Sequence, residues 1–162
     1  MKAVVVYDSV FGNTEKIARA IADGLATRAE VKLVHSGADA AVPPSDMGLL
    51  VVGSPTRGFR PTESLAAWLK GLRSSLPRGV KVAAFDTRFK ADEIESAGVR
   101  FVVRTGGYAA KRIADRLKSA GGTVIAPPEG FYVEDTEGPL KPGEEDRATA
   151  WGKSLVAIVA GE

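Results

Sequence analysis

An apolar run near the start of the chain ends abruptly in a short polar loop, and a helical pattern begins almost at once. The run is Val4-Val5-Val6-Tyr7, the loop is Asp8-Ser9-Val10-Phe11-Gly12-Asn13-Thr14, and the apolar helical stripe starts at Ile17. A β-branched run of this kind favours a buried strand, so the segment predicts a strand that leads directly into a helix. The first turn of a helix carries unpaired N–H donors and a partial positive charge. The loop therefore predicts an anion site, where Gly12 allows close approach of the backbone.

The same alternation of strand and helix patterns continues along the chain. Strands are predicted at residues 2–7, 31–34, 49–52, 80–85 and 123–126, and the second of them is expected at an edge. We expect one α/β domain over residues 1–162, a three-layer sandwich with helices on both faces of a five-stranded parallel sheet of order 2-1-3-4-5. Ligands of such sheets bind beyond the carboxyl ends of the strands, here between strands one and three.

Composition excludes several classes of site. The absence of cysteine excludes disulfides, iron–sulfur clusters and thiolate zinc sites, and a single histidine excludes a histidine-based metal cluster. The 22 basic and 20 acidic side chains give a charge of +2, which does not indicate nucleic-acid binding. No apolar run approaches the roughly 18 residues of a membrane span, and the N-terminus lacks a signal-peptide pattern. We expect a cytoplasmic protein with no membrane contact and no bound metal.

Two further polar segments follow predicted strands. Gly53-Ser54-Pro55-Thr56-Arg57-Gly58 follows the third strand, and Asp86-Thr87-Arg88 follows the fourth. Because the carboxyl ends of parallel strands meet at one edge of the sheet, both segments are expected beside the first loop.

These motifs resemble those of the flavodoxin family. The string Ser9-Val10-Phe11-Gly12-Asn13-Thr14 is similar to the flavodoxin phosphate loop, [ST]-x-[ST]-G-x-T, at its first, fourth and sixth positions. Phe11 departs from the pattern and supplies no hydroxyl, as in flavodoxin-like domains of larger flavoproteins. Gly-Ser-Pro-Thr-Arg at 53–57 resembles the ring-contacting loop of flavodoxin-like quinone reductases. The segments 130–133 and 138–140 resemble the tail of stand-alone members. Neither a P-loop nor, after the first strand, a G-x-G-x-x-G fingerprint is present.

The resemblance implies flavin mononucleotide (FMN) as cofactor. Its phosphate would be held by the first loop, Ser9, Val10, Phe11, Gly12, Asn13 and Thr14, and its ring would meet Ser54, Pro55, Thr56, Arg57, Gly58, Asp86, Thr87 and Arg88. Pro55 and Thr56 are expected to direct backbone donors at the ring edge. Asp86 is expected to accept from the flavin N3–H, Thr87 to bond a carbonyl, and Arg88 to lie near the N1–C2=O edge. The candidates for stacking on the ring are Phe11, Phe59, Phe89 and Tyr108.

Each feature also has a purely structural interpretation. The first loop could be an ordinary helix cap, the second a chain reversal and the third a solvated turn. Trp68 and Trp151 lie on apolar helical stripes and are predicted to be core residues, whereas His35 is predicted at the surface. The basic cluster Lys111, Arg112, Arg116 and Lys118 is most simply a solvated helix face.

The leading hypothesis is an FMN-binding electron-transfer protein, a monomer or homodimer that serves unidentified redox partner proteins and needs no catalytic residue. One alternative is an FMN-dependent NAD(P)H quinone or nitro-compound reductase. The other is a module that kept the fold and no longer binds flavin. The long segment at residues 88–105 is expected to lie over or beside the flavin.

Overall fold

The computed structural model describes residues 1–37, 40–41, 43–90, 96–98 and 108–162. Most of the segment 88–105, which was predicted to lie over or beside the flavin, is outside these residues. The described strands are β1 (Lys2–Tyr7), β2 (Glu30–His35), β3 (Leu49–Pro55), β4 (Lys81–Arg88), β5 (Thr123–Val124) and β6 (Glu129–Tyr132). The long helices are α1 (Asn13–Leu25), α2 (Glu63–Leu72), α3 (Ala109–Ser119) and α4 (Glu144–Ala160). None of the described helices is long and apolar enough to cross a membrane.

The strands form one parallel sheet of order β2-β1-β3-β4-β5, in which β6 also pairs with β4. β1 lies between β2 and β3, with Val5 opposite Leu33 on one side and Val51 on the other. The residues of β1, β3 and β4 are almost all buried, as expected for strands covered on both faces. The predicted fold and strand order are confirmed, and β2 is the edge strand.

Two predicted strand ends are wrong. β3 continues through Ser54 and Pro55, and β4 continues through Arg88, because Ser54 pairs with Asp86 and Pro55 with Thr87 in the parallel ladder. The predicted ends rested on the change from apolar to polar side chains, whereas the backbone pairing continues past that change. Successive side chains of a strand point to opposite faces, so the three polar residues at the end of β4 do not share one environment.

The fifth position of the sheet is occupied by two short strands rather than by the single predicted strand at 123–126. β5 pairs with Lys81 and Val82 at the start of β4, and β6 pairs with residues 85–88 at its end. Pro127 and Pro128 lie between the two strands and have no N–H to donate to β4. β5 ends at Val124, and pairing with β4 is not continued through the prolines but resumes at Glu129.

Each face of the sheet has its own apolar core. On one face α1 and α4 pack through residues such as Ile17, Ile21 and Leu155, and on the other α2 and α3 pack through Leu65 and Ile113. The Trp151 ring makes edge contacts with Phe85 and Phe131, at centroid distances of 6.4 and 6.1 Å. Trp68 packs against the second core. Both tryptophans are partly buried and pack against the cores that they were predicted to join.

Two glycines allow α1 and α4 to approach closely. A Cβ at Gly152 would lie 2.4 Å from the Ile21 carbonyl oxygen, and a Cβ at Gly24 would lie 2.2 Å from that of Thr149. Both contacts are with backbone atoms, which cannot move aside without separating the helices.

We expect Gly152→Ala to lower the free energy of unfolding by about 1–3 kcal/mol, because the added methyl group overpacks the α1–α4 contact. Gly71→Ala is the matched control, since it also lies within a helix and its Cβ would meet nothing within 4 Å. That control should be stabilised by about 0.5–1 kcal/mol. Urea unfolding measures both values, and equal effects of the two substitutions would contradict the close approach.

Candidate functional site

A cavity of about 300 Å³ opens beyond the carboxyl ends of β1, β3 and β4. This volume is within the range of small-ligand sites, and the position is the switch point expected for a sheet of this order. The lining residues come from five segments: Val10, Phe11, Asn13, Thr14, Pro55, Thr56, Arg57, Gly58, Phe59, Thr87, Arg88, Phe89, Tyr108, Val133 and Thr136.

The loop between β1 and α1 is folded by its own polar groups. The Ser9 hydroxyl oxygen accepts hydrogen bonds from the N–H of Gly12 at 3.1 Å and of Glu15 at 3.3 Å. Gly12 precedes the helix with φ of 92°, a conformation that glycine adopts without steric cost. A Cβ at Gly12 would meet no atom within 4 Å. Ser9 thus shapes the loop and does not line the cavity.

Four N–H groups of this loop are left without an acceptor. Those of Val10, Phe11, Asn13 and Thr14 make no hydrogen bond to any part of the chain that the structure describes. All four residues line the cavity, and Asn13 and Thr14 are buried. Buried N–H groups without a partner are rare, and a set of them at a helix start is suited to an anion.

Hydrogen bonds join three loops around this end of the cavity. The Thr14 and Thr87 hydroxyl oxygens are 2.7 Å apart, which links the first loop to the end of β4. The Asn13 side-chain amide donates to the Glu137 carbonyl oxygen at 3.2 Å. Glu137 belongs to a hairpin after β6, in which Val133 bridges Leu140, and this hairpin places Thr136 on the cavity wall.

A tight hairpin turn at residues 57–60 forms the opposite wall. Arg57 and Arg60 exchange backbone hydrogen bonds of 2.8 and 3.0 Å, and the two residues between them have positive φ, 53° for Gly58 and 67° for Phe59. Positive φ is unusual for a phenylalanine. Arg112 of α3 holds the turn, because its Nε donates to the Phe59 carbonyl oxygen at 3.1 Å. The Phe59 side chain lines the cavity as a result.

The backbone donors expected from Pro55 and Thr56 are not present. Proline has no N–H, and the N–H of Thr56 donates to the Thr87 carbonyl oxygen at 3.0 Å within the sheet. These two residues line the cavity and can contact a ligand only through other groups. The Thr56 hydroxyl accepts from the N–H of Ala109 at 3.2 Å, which connects β3 to the start of α3.

Arg88 and Asp86 form an ion pair at the end of β4. Arg88 Nε and Nη2 donate to the two Asp86 oxygens at 2.5 and 2.9 Å, and the guanidinium carbon lies 3.7 Å from the Tyr108 ring centroid. The Arg88 side chain is 16% exposed and Asp86 is fully buried. A Cβ at Gly130 would overlap the guanidinium, so Gly130 is needed for this placement.

The environment of Asp86 does not allow the role predicted for it. Its oxygens accept from Arg88 and from the Ala110 N–H at 2.9 Å, and it does not line the cavity. Burial raises the pKa of Asp86, while the Arg88 charge and the hydrogen bonds oppose that rise. Asp86 and Arg88 lie on the same face of β4, and of these two only Arg88 lines the cavity. No Asp86 oxygen faces the cavity to accept from a flavin N3–H.

The cavity brings together most of the residues predicted from the loops. Ser9, Gly12, Ser54 and Asp86 are outside its lining, whereas all four aromatic candidates, Phe11, Phe59, Phe89 and Tyr108, are part of it. Ser54 is buried, where its hydroxyl accepts from the Thr62 N–H at 3.0 Å. Val133 and Thr136 were not predicted as site residues. The glycines and prolines around them indicated a loop but not where it would lie.

The family model for flavodoxin matches residues 5–151. The chain belongs to the flavodoxin family. No match to this sequence was found among curated proteins. The flavodoxin family implies a flavin cofactor.

Solved structures show the flavodoxin fold along the whole chain. A flavodoxin from the domain Archaea has a TM-score of 0.76 and 24% identity, with 99% of each chain covered. Oxidised Flavodoxin 1 from Bacillus cereus has a TM-score of 0.72 and 18% identity over 97% of this chain and 98% of the other. Rubredoxin oxygen:oxidoreductase from Desulfovibrio gigas has a TM-score of 0.70 and 23% identity, with 99% of this chain but 36% of that one covered. The fold thus occurs both as a complete chain and as part of a larger one.

We expect Arg88→Gln to lower the free energy of unfolding by about 3–5 kcal/mol at neutral pH, because it leaves the Asp86 charge buried without its partner. The pKa of Asp86 then rises further, so the folded variant keeps a proton that the unfolded chain has lost. Its stability relative to wild type should therefore fall as pH increases above about 4, the ordinary pKa of an aspartate.

The double variant Asp86→Asn/Arg88→Gln controls for the loss of the arginine. Replacing both partners of a buried ion pair costs less than removing one, and the double variant has no buried carboxyl to titrate. Thermal or urea unfolding between pH 4 and 8 compares the two. Identical pH profiles for the single and double variants would show that Asp86 is not the titrating group.

Proposed function

We propose that the protein binds FMN in this cavity and transfers electrons through it. The observation that carries the proposal is the set of acceptor-free N–H groups at Val10, Phe11, Asn13 and Thr14, four residues that line one aromatic-walled cavity. A phosphate is the part of FMN that such donors fit, since they supply hydrogen bonds and the positive end of α1. The phosphate is held in this proposal without any charged side chain from the loop.

The remainder of the cavity is suited to a flat aromatic ring. Its walls carry Phe11, Phe59, Phe89 and Tyr108, and aromatic side chains favour stacked or edge contacts with another ring. The Thr87 hydroxyl lies beside that of Thr14, so in this proposal it adjoins the phosphate end of the cavity. When bound, the flavin supplies the redox chemistry, and the protein contributes binding, orientation and electrostatics.

The charge proposed to lie at the edge of the flavin ring, that of Arg88, is part of an ion pair. Arg88 lines the cavity, and its guanidinium is neutralised by Asp86 directly behind it. A guanidinium in this state offers a hydrogen-bond donor and only part of its positive field to the N1–C2=O edge. We infer that Arg88 stabilises a reduced, anionic ring less strongly than an unpaired arginine at the same place would.

The test of FMN binding compares FMN with riboflavin, which lacks the phosphate. We expect wild type to bind FMN at least about 100-fold more tightly, since each hydrogen bond to a charged group contributes about 1.5–3 kcal/mol. Gly12→Asp places a carboxylate beside the phosphate site and should remove most of this preference. Flavin fluorescence quenching measures both affinities.

Gly12→Ala is the matched control, because it introduces the same backbone strain without a charge. It should lose about 1–2 kcal/mol of stability and retain the preference for FMN. A wild-type chain that binds FMN and riboflavin equally, or that binds neither, would overturn the proposal. Binding of neither would instead support a module that kept the fold without the cofactor.

The composition of the cavity favours a carrier over a reductase. Among the described lining residues there is no carboxylate, imidazole or amine, and the Tyr108 phenol, which donates to the Phe89 carbonyl oxygen at 3.3 Å, is the one general-acid type present. We expect the FMN-loaded protein to oxidise NADPH with a quinone, under anaerobic conditions, at less than about 0.1 per second, well below the usual range of enzymes. Turnover at about 10 per second or faster would identify the reductase alternative instead. The rate is measured as the decrease with time of absorbance at the absorption maximum of NADPH.

A further inference from the structure

A second groove lies directly beside the cavity and is larger, with a volume of about 760 Å³. It is bounded by the turn at residues 57–60, the start of α2 and the exposed side of α3. Val10 and Arg57 line both the groove and the cavity, so the two are continuous. Any molecule that occupies this groove therefore lies against the mouth of the proposed flavin site.

Four guanidinium groups and two carboxylates line this surface, which we call the arginine groove: Arg57, Arg60, Arg112 and Arg116, with Asp8 and Glu63. All four arginines are exposed. The side chains of Arg57, Arg60 and Arg116 have no hydrogen-bond or ion-pair partner in the described parts of the chain. Their charges are thus available to an external partner.

The two carboxylates offset little of this charge. Asp8 accepts hydrogen bonds from the Ser9 N–H at 2.9 Å and from the Thr62 hydroxyl, and its Oδ1 lies 3.1 Å from His35 Nε2. His35 is at the surface, as predicted, but it is not isolated. Glu63 occupies the first turn of α2, where the positive end of the helix compensates it. The arginine groove therefore presents a net positive field.

This field is local and not a property of the whole surface. The chain has 22 basic and 20 acidic side chains, so its overall charge is close to balance. Several other basic residues are paired within the chain, such as Lys111 with Asp115 and Arg28 with Glu162. Of the five described arginines whose side chains have no partner in the described parts of the chain, Arg57, Arg60 and Arg116 lie at the edge that adjoins the cavity, and Arg73 and Arg78 lie elsewhere.

Exposed apolar side chains accompany the charges. Val10, Phe11 and Phe89 are 49%, 47% and 38% exposed, and all three line the cavity beside the arginine groove. An apolar centre with a polar, charged rim is the usual organisation of a protein–protein interface. Every arginine of the groove is exposed, as expected of charges at the rim of an interface.

We propose that the arginine groove is the docking surface for the redox partner and that the partner presents an acidic surface. This inference rests on the proposed electron-transfer function. Charges at the rim of an interface mainly increase the association rate and determine its salt dependence, while the apolar centre is covered on contact. Arg60 and Arg116 supply attraction in this arrangement, and Arg112 also holds the turn that carries Phe59.

The test uses the full-length chain, with and without FMN, and a fluorescently labelled peptide of ten glutamates. The variant Arg60→Gln/Arg116→Gln removes two groove charges. Lys32→Gln/Lys153→Gln is the matched control, because both lysines are exposed and neither lines the groove. Peptide binding is measured by anisotropy at ionic strengths of about 10 and 150 mM, between which the Debye length falls from about 30 to 8 Å.

At the lower ionic strength we expect the arginine variant to bind the peptide at least about threefold more weakly than wild type, and the lysine control to match wild type. The difference should disappear at the higher ionic strength. The reduced, FMN-loaded arginine variant should be oxidised by an anionic iron complex more slowly than wild type, and the lysine control should match wild type. Oxidation by a cationic cobalt complex should be unchanged or faster in the arginine variant.

If the arginine variant and the lysine control weaken peptide binding equally, the proposal is overturned, because peptide affinity would then depend only on the total charge of the protein. Saturable NADPH binding that the arginine variant abolishes, with peptide binding unchanged, would also overturn it and assign the groove to a dinucleotide. The peptide measurement without FMN tests the docking surface independently of the proposed electron-transfer function. A chain that binds the peptide through Arg60 and Arg116 but takes up no FMN would retain the acidic-partner surface and overturn the electron-transfer function.

Discussion

Parallel pairing of β1 with β2 on one side and β3 on the other is the constraint on which the rest of the structure depends. The chain leaves β1 towards one face of the sheet through α1, and leaves β3 towards the other face through α2. The two loops therefore diverge, and an opening remains between them at the carboxyl ends of the strands. The cavity lies in that opening, and each of its walls begins at the end of a strand.

At the start of α1 and at the end of β4, the cavity is lined by dipoles and a paired charge, and the unpaired Arg57 lies where the cavity meets the groove. The acceptor-free N–H groups lie at the start of α1, and Arg88 is bound to Asp86 behind the wall. The unpaired Arg60 and Arg116 lie outside the cavity, along the groove between the 57–60 turn and α3. This separation is physically consistent with the proposed function. Neutral donors hold a phosphate without imposing a net charge on the ring, while exposed charges act over a Debye length on an approaching partner.

Much of the architecture was predictable because it follows from local patterns. Apolar runs predicted the buried strands, and helical stripes such as the one containing Ile17 and Ile21 predicted which faces are covered. The ends of β3 and β4 were predicted too early, because Ser54 and Asp86 are polar but remain paired across the ladder. The division of the fifth strand depends on where Pro127 and Pro128 fall opposite β4, which requires knowledge of the register.

The sequence by itself determined the family, the strand order and the loop that begins α1, because these depend on residue types close together along the chain. Tertiary structure alone decided that Asp86 bonds Arg88 and Ala110 and does not line the cavity, since that outcome depends on where the start of α3 packs against β4. It also decided that the hairpin at 133–140 reaches Asn13, and that arginines from α3 and the 57–60 turn share one groove. Residues far apart in the chain become neighbours only when the sheet and its helices pack. Local sequence patterns do not show which of these distant residues will be in contact.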